Sequence, residues 1–444
     1  MIAVRCRAPT GSIRSEIPLL PRRPSGVHIH TFGPLKRAHA RRPRGWMRHY
    51  AGMLTPDSFT ATRLSLERDK AQRVRRSAAT LATRARGTRG GRRGMRALTA
   101  SPGAALRWRE VPAPPSPGPL GAVVHPIASS TCDMDCPIML GATQIPLPLH
   151  PGHECVAEVL SVGSSVMAVR PGDLVIVPFQ INCGACSACH AGHTGSCTGI
   201  PPLSMYGFGF AGGHWGGAFA DELAVPFADA MLVALPDRID PAAAASVADN
   251  VCDAYRHIGP HLPSVLASDP DARVLVLGSA DKRTLFTPSC PLYTGLIARA
   301  MGARSVCFAD SRPSVRAHAE RLGMRSLHPR ELRHMPPFPL VADVSVDGLP
   351  TALGSTAPDG ICSSSGGLHR HIRIPFLQMY IRNATLHVGR THVRALIPDV
   401  LELMTAGGLH PEAVTTNVAA LDDAPSVLRE HLLDPASVKT VLLA

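Results

Sequence analysis

Four cysteines fall within fifteen residues of one another: Cys183, Cys186, Cys189 and Cys197 follow the spacing Cys-x2-Cys-x2-Cys-x7-Cys. Each two-residue gap lets neighbouring sulfurs turn back towards one centre, and a short Gly-containing loop delivers the last. Four thiolates at tetrahedral distance suit Zn2+ and leave no position for water, so the expected site is structural. Two other uses compete for the same residues. An iron-sulfur cluster also takes four thiolates, and an oxidising compartment would pair them as disulfides. Residues 1–10 lack the apolar centre of an export signal. A reduced, cytoplasmic setting is therefore the expectation, and there such a cluster reads as a metal cage.

The chain's 444 residues are enough for two or three domains. No run of about eighteen apolar residues occurs, so no membrane span is expected. The net charge of +13 suggests nucleic acid until it is divided along the chain. Residues 1–100 hold 21 Arg and 2 Lys against 4 acidic residues, a balance of +19, which leaves −6 for the other 344. The basic character belongs to one segment, which includes Arg41, Arg42, Arg44, Arg73, Arg75, Arg76, Arg92 and Arg93. Such a segment buries too little apolar surface to offset its ordering entropy, so disorder is expected. It reads as a basic arm, an Arg-rich transit peptide, or an extension upstream of the working start, and the third reading is favoured. Large aromatics are few in it, with Trp46 its one tryptophan and Tyr50 its one tyrosine, which argues against a nucleic-acid arm, and it has no sustained amphipathic period.

From Met95 short apolar runs alternate with Gly and Pro, as in a compact β-rich domain. Residues 95–99 open a first strand and residues 123–127 form another. Cys132 and Asp135 follow, and twenty-one residues after Cys132 come His153 and Glu154, preceded by Gly152. Cys and His are both zinc ligands, and three protein ligands leave a fourth position for water or substrate, as a catalytic zinc requires. A lone Cys or His is more often structural. It is the order of these residues relative to the cage that singles them out.

That order resembles the zinc-dependent alcohol dehydrogenases of the medium-chain dehydrogenase/reductase superfamily, over about residues 95–444. The resemblance implies a GroES-like β-rich catalytic domain and a Rossmann domain with a doubly wound parallel sheet. It also implies two zincs, one structural and one catalytic, and NAD(P)-linked hydride transfer between an alcohol and an aldehyde or ketone. A homodimer or homotetramer is implied as well, with no membrane or nucleic-acid partner. Cys132 and His153 fall on catalytic zinc ligands, and Glu154 on the adjacent acid that can approach the metal. Asp249 takes the third ligand position, with Cys252 as its competitor, and Asp135 resembles the carboxylate that orients the histidine. The expected division is a basic extension over 1–94, a catalytic domain over 95–250, a coenzyme domain over 251–392, and a C-terminal segment over 393–444 that returns to the catalytic domain. One departure affects mechanism. Met134 and Pro137 stand where the family often passes the substrate proton outward, and neither can carry one.

Residues 273–278 read as a buried strand ending in Gly278, the start of a dinucleotide-binding unit. Leu292, Leu296, Ile297, Ala300 and Met301 share a helical face. Residues 305–310 form a second strand ending in Asp310, whose carboxylate favours NAD over NADP, while Arg312 tempers that preference. Arg390 resembles a coenzyme-phosphate contact. The turn after Gly278 lacks the second and third glycines of G-x-G-x-x-G and is about eight residues too long for that motif. Lys282 and Arg283 could meet phosphate there, though solvated loop charge is the ordinary role. Residues 340–346 and 384–389 read as further strands, 360–367 as a loop over the nicotinamide side, 393–404 as an amphipathic helix, and 438–443 as a closing strand. Met205, Tyr206 and Trp215 read equally as pocket lining or packing. The rival from another class is a zinc-stabilised, dehydrogenase-like binding protein with impaired coenzyme binding.

Overall fold

Residues 94–365 and 372–444 are described by a computed structural model, and all of them lie in one compact unit. The basic extension read over 1–94 lies outside the described residues except for Gly94, as does the part of the 360–367 loop beyond Ser365.

The Val-, Ala- and Ser-rich runs of the first half build a mixed sheet. Strands β1 (Gly94–Ser101) and β2 (Ala105–Pro112) form an antiparallel hairpin. Strands β3 (Ala122–Ser130), β4 (Glu154–Val162) and β5 (Leu174–Val177) pair antiparallel in turn. Strand β6 (Leu223–Val225) pairs with β3, and β7 (Val233–Ala234) with β5. One register matters for the site: Ser130 at the end of β3 lies opposite Glu154 at the start of β4. The residues just beyond these strand ends, Cys132 and His153, are thereby brought side by side.

The second half alternates strand and helix and gives a six-stranded parallel sheet. Its strands are β8 (Arg273–Leu277), β9 (Ser305–Ala309), β10 (Arg325–Leu327), β11 (Phe338–Asp343), β12 (Thr356–Ser364) and β13 (Thr385–Val388). Their spatial order is β10-β9-β8-β11-β12-β13, the doubly wound order in which a crevice opens beyond the carboxyl ends of β8 and β11. Val274, Leu275, Val276 and Leu277 are fully buried on both faces, because helices cover both sides of a parallel sheet. Residues 360–364, read from sequence as the beginning of a loop, are instead the C-terminal half of β12, paired with both β11 and β13. The apolar stretch Ile361, Cys362 pairs with β11 before the chain turns away.

Two strands close the circuit. β14 (Asn417–Ala420) pairs with β15 (Thr440–Leu443), and β15 lies antiparallel to β3, so the chain's last strand completes the first sheet. The expected helix over 393–404 is observed over Val393–Thr405, with Val400 and Leu401 buried.

Two buried histidines tie this packing to pH. His257 lies 2.9 Å from the Ser363 hydroxyl and His431 lies 3.0 Å from that of Thr440. Burial, then the nearby Arg256, pushes His257 down to about 3, and burial, then Lys439, pushes His431 down to about 4. A depressed folded-state value means that the unfolded chain takes up the proton first. The stabilisation is therefore present above about pH 6.5 and is lost as pH falls towards 4. At pH 5 each histidine should cost about 2 kcal/mol. Urea midpoints at pH 7.5 and 5.0 test this: the fall should shrink by about 4 kcal/mol in the double variant His257→Gln/His431→Gln, and an unchanged fall would refute the assignment.

Candidate metal centres and the coenzyme cleft

The four cage cysteines converge as their spacing requires. Their sulfurs all lie within 4.8 Å of one another, with Cys197 3.5 Å from Cys183 and 3.8 Å from Cys186. Sulfurs on a tetrahedral zinc at 2.3 Å are about 3.8 Å apart. Amides of Cys183 and Thr198 donate to the Cys197 and Cys186 sulfurs at 3.4 Å. The Thr198 amide and then that of Cys189 pull the Cys186 thiol down to about 5, whereas burial and then Cys186 push Cys189 up to about 12. Metal binding would require all four as thiolates and would release their remaining protons.

The second cluster is made by the β3–β4 register. Helix α1 (Asp135–Met139) starts just after Cys132, and the Cys132 amide donates to Asp135 Oδ2 at 2.8 Å. Gly152 has φ +92, and a Cβ there would lie 2.7 Å from the Phe219 amide, so only glycine lets His153 turn inward. Helix α2 (Asn250–Ile258) begins immediately after Asp249. Cys132 Sγ is 3.2 Å from Asp249 Oδ2, which is 3.3 Å from His153 Nε2. Cysteine, histidine and carboxylate ligands on one tetrahedral zinc at 2.0–2.3 Å would be about 3.3–3.5 Å apart. Neither nitrogen of the buried His153 ring has a hydrogen-bond partner, and Asp135 Oδ1 stands 3.8 Å from Nδ1. An orphaned Nε2 between a thiol and a carboxylate fits a metal. Cys252, three residues beyond Asp249, is fully buried in the core and outside this cluster.

Glu154 is also outside the converging set. Its Oε2 accepts from Lys439 Nζ at 2.6 Å and from the Ser130 hydroxyl at 2.5 Å, and its Oε1 from the Asn250 amide at 3.2 Å. Burial pushes its carboxyl up to about 7, with Lys439 opposing, while Glu154 holds the Lys439 ammonium above its ordinary value against burial. Lys439 and Asn250 were not anticipated from sequence. Asn250 Nδ2 donates to Cys132 Sγ at 3.3 Å, and its Oδ1 accepts from Lys439 at 2.9 Å. The available signal was a single charged residue, a lysine, in the stretch read as the closing strand, residues 438–443.

A cleft of about 250 Å³ runs from Cys132, Asp249, Met134, Phe179 and Phe208 to Gly278, Arg312 and Arg390. Phe179 and Phe208, whose rings lie 5.6 and 4.9 Å from that of His153, make its apolar wall and were also missed. Tyr206, by contrast, is buried with its hydroxyl on the Ala224 carbonyl, and Trp215 packs on the same core, so both serve packing. At the far end, Gly278 approaches Asp310 so closely that a Cβ would lie 2.5 Å from Oδ2. Asp310 is fully buried and Arg312 forks onto both its oxygens, at 2.9 and 2.8 Å. The long turn expected after Gly278 ends at helix α3 (Ser289–Ala300).

Comparison with known proteins agrees with this architecture. Residues 118–237 match the alcohol dehydrogenase GroES-like domain. A glutathione-independent formaldehyde dehydrogenase of Pseudomonas aeruginosa is 31% identical over 207 residues, 46% of this chain and 49% of that protein. The matched stretch thus spans about half the length of that relative. A protein of Mycobacterium tuberculosis named as a probable zinc-binding alcohol dehydrogenase is 27% identical over 74% of this chain and 83% of its own. The solved alcohol dehydrogenase from Thermus sp. ATN1 superposes with a TM-score of 0.70 at 26% identity, covering 79% of this chain and 99% of that one. By fold and by its GroES-like sequence, the chain is similar to proteins of the medium-chain dehydrogenase/reductase type. Within that superfamily it resembles the zinc-dependent alcohol dehydrogenase family.

Proposed function

We propose that the protein is a zinc-dependent oxidoreductase that interconverts an alcohol with an aldehyde or ketone, using a nicotinamide dinucleotide. The observation that carries this reading is the convergence of Cys132, His153 and Asp249 at one end of the cleft, with the remaining side open to it. Bound there, zinc would supply Lewis-acid polarisation of the substrate oxygen. Cys132, His153 and Asp249 would hold it, and Asp135 faces the other ring nitrogen of His153. Asn250 steadies the Cys132 sulfur through its side-chain amide. Phe179, Phe208 and Met134 wall the substrate end with apolar surface, which excludes water and favours a small, weakly polar substrate. The cage cysteines would carry a second, structural zinc.

The coenzyme side fits in topology but not in its free donors. The crevice lies at the switch point of the sheet, and Asp310 stands after its second strand, which supports NAD. Arg312, already forked on that carboxylate, tempers the preference for NAD over NADP. The helix start that would receive the pyrophosphate is engaged by a carboxylate of the chain itself. The reading is tested by zinc analysis together with a panel of short alcohols and aldehydes offered with NAD+/NADH and NADP+/NADPH. Two zincs per chain with turnover on the panel is the expected result. One zinc and no turnover on any pair would return the protein to the rival reading of a non-catalytic, zinc-stabilised scaffold.

A further inference from the structure

Helix α3 begins at the place where a dinucleotide fold presents bare amides to a pyrophosphate. Its N-cap is Pro288, which offers no side-chain cap. The first amides are nevertheless satisfied, by a carboxylate from far away in sequence. Asp133, the residue after Cys132, accepts from the Ser289 amide and the Thr287 hydroxyl on Oδ1, at 3.0 and 2.9 Å. Its Oδ2 accepts from the Cys290 amide at 3.0 Å, and the Ser289 hydroxyl also bonds to Oδ1. A carboxylate in this position is an anion on a helix N-terminus, the arrangement a phosphate would otherwise make.

The same long turn is tied down at a second point. Arg312, forked onto Asp310, donates through its remaining nitrogen to the Phe286 carbonyl at 2.8 Å. Asp310 in addition accepts from the Ser279 amide at 3.0 Å. The groups that would receive a coenzyme's pyrophosphate and its ribose are thus each engaged by the chain itself.

We infer that Asp133 is an internal occupant of the pyrophosphate seat, so that a dinucleotide binds only by displacing this carboxylate from the start of α3. The inference rests on the oxidoreductase reading for the identity of the ligand, and on the hydrogen bonds alone for the latch. It also accounts for a turn without the usual glycines: residues 279–288 close over the crevice instead of lying back to admit a phosphate. Asp133 adjoins a proposed zinc ligand, so release of the latch and occupancy of the substrate end share one short segment, 132–135.

The probe is ADP-ribose, which carries the pyrophosphate but no nicotinamide, titrated calorimetrically into the full-length, zinc-loaded protein. Because binding is read directly, the result does not depend on turnover. If the seat is held closed in nine molecules of ten, the apparent affinity is reduced about tenfold. Asp133→Asn, which removes the charge and keeps a capping oxygen, should therefore bind ADP-ribose about tenfold more tightly than the unaltered protein. Thr287→Val removes one of Asp133's donors without touching Asp133 and should tighten binding by about threefold. It serves as the independent test if Asp133→Asn does not fold. Equal affinity in the unaltered protein and in every folded variant would overturn the latch while leaving the zinc chemistry standing. No binding by any of them would overturn the latch and the dinucleotide assignment together, and alcohol turnover with other acceptors would then decide the oxidoreductase reading separately.

Discussion

Cys132→Ser should lower alcohol turnover by at least about a thousandfold and leave one zinc per chain where two are expected. The size follows from what the thiolate does. Lewis-acid stabilisation of an alkoxide-like oxygen contributes several kcal/mol, and about 4 kcal/mol corresponds to a thousandfold in rate. Serine keeps the volume but replaces a thiolate with a hydroxyl that stays protonated, so Asp249 and His153 are left as two ligands of three. The fold should survive. Cys132 lies beyond the last residue of β3, and the strand register that positions it is made by backbone pairs from Ala122↔Val162 to Ser130↔Glu154, none of which involves its side chain. The measurements are metal content, steady-state rate and circular dichroism on the same sample. Full activity with two zincs would remove Cys132 from the site.

The parts of the molecule that could be read from sequence are those in which local spacing does the work. Cys183, Cys186, Cys189 and Cys197 form their cluster within one loop, so spacing alone predicts convergence. The Val274 to Leu277 run and the acid at 310 are likewise local signals of strand and strand end. Cys132, His153 and Asp249 are distant in sequence and were legible only through the resemblance, because their meeting depends on the β3–β4 register and on the start of α2. What escaped was of two kinds. Lys439 and Asn250 are placed by the return of the closing strand β15 to β3, a long-range pairing with no local pattern. Asp133 was hidden for a different reason: a carboxylate that caps a helix from 156 residues away has no motif. The turn after Gly278 could be read as anomalous, but not as tied to Asp133 and Arg312.

Cys197→Ala should produce the opposite one-zinc protein, in which the open site keeps its ligands and the fold suffers. Cys197 is the centre of the cage's contacts, with Cys183 and Cys186 both within 3.8 Å of its sulfur and the Cys183 amide donating to it. Residues 183–199 have little apolar surface to hold them in place, so the metal would supply most of their order. Structural zinc in small modules is worth about 10–16 kcal/mol of apparent binding energy, comparable with the entire stability of a typical domain. Even half of the lower figure, about 5 kcal/mol, implies a fall in Tm of about 10 °C or more for a lobe of this size. The damage should spread along a defined route. The Gly195 amide donates to His392 at 3.2 Å, and Gln180 bridges the Thr391 carbonyl and the Val393 amide at the start of the 393–405 helix, beside cleft residue Arg390. Hydrogen exchange should therefore rise first over 183–199 and next over 390–394, while the β8 and β9 strands stay protected. A Cys197→Ala protein that melts with the parent and exchanges no faster over 183–199 would show that the four sulfurs do not hold a structural metal.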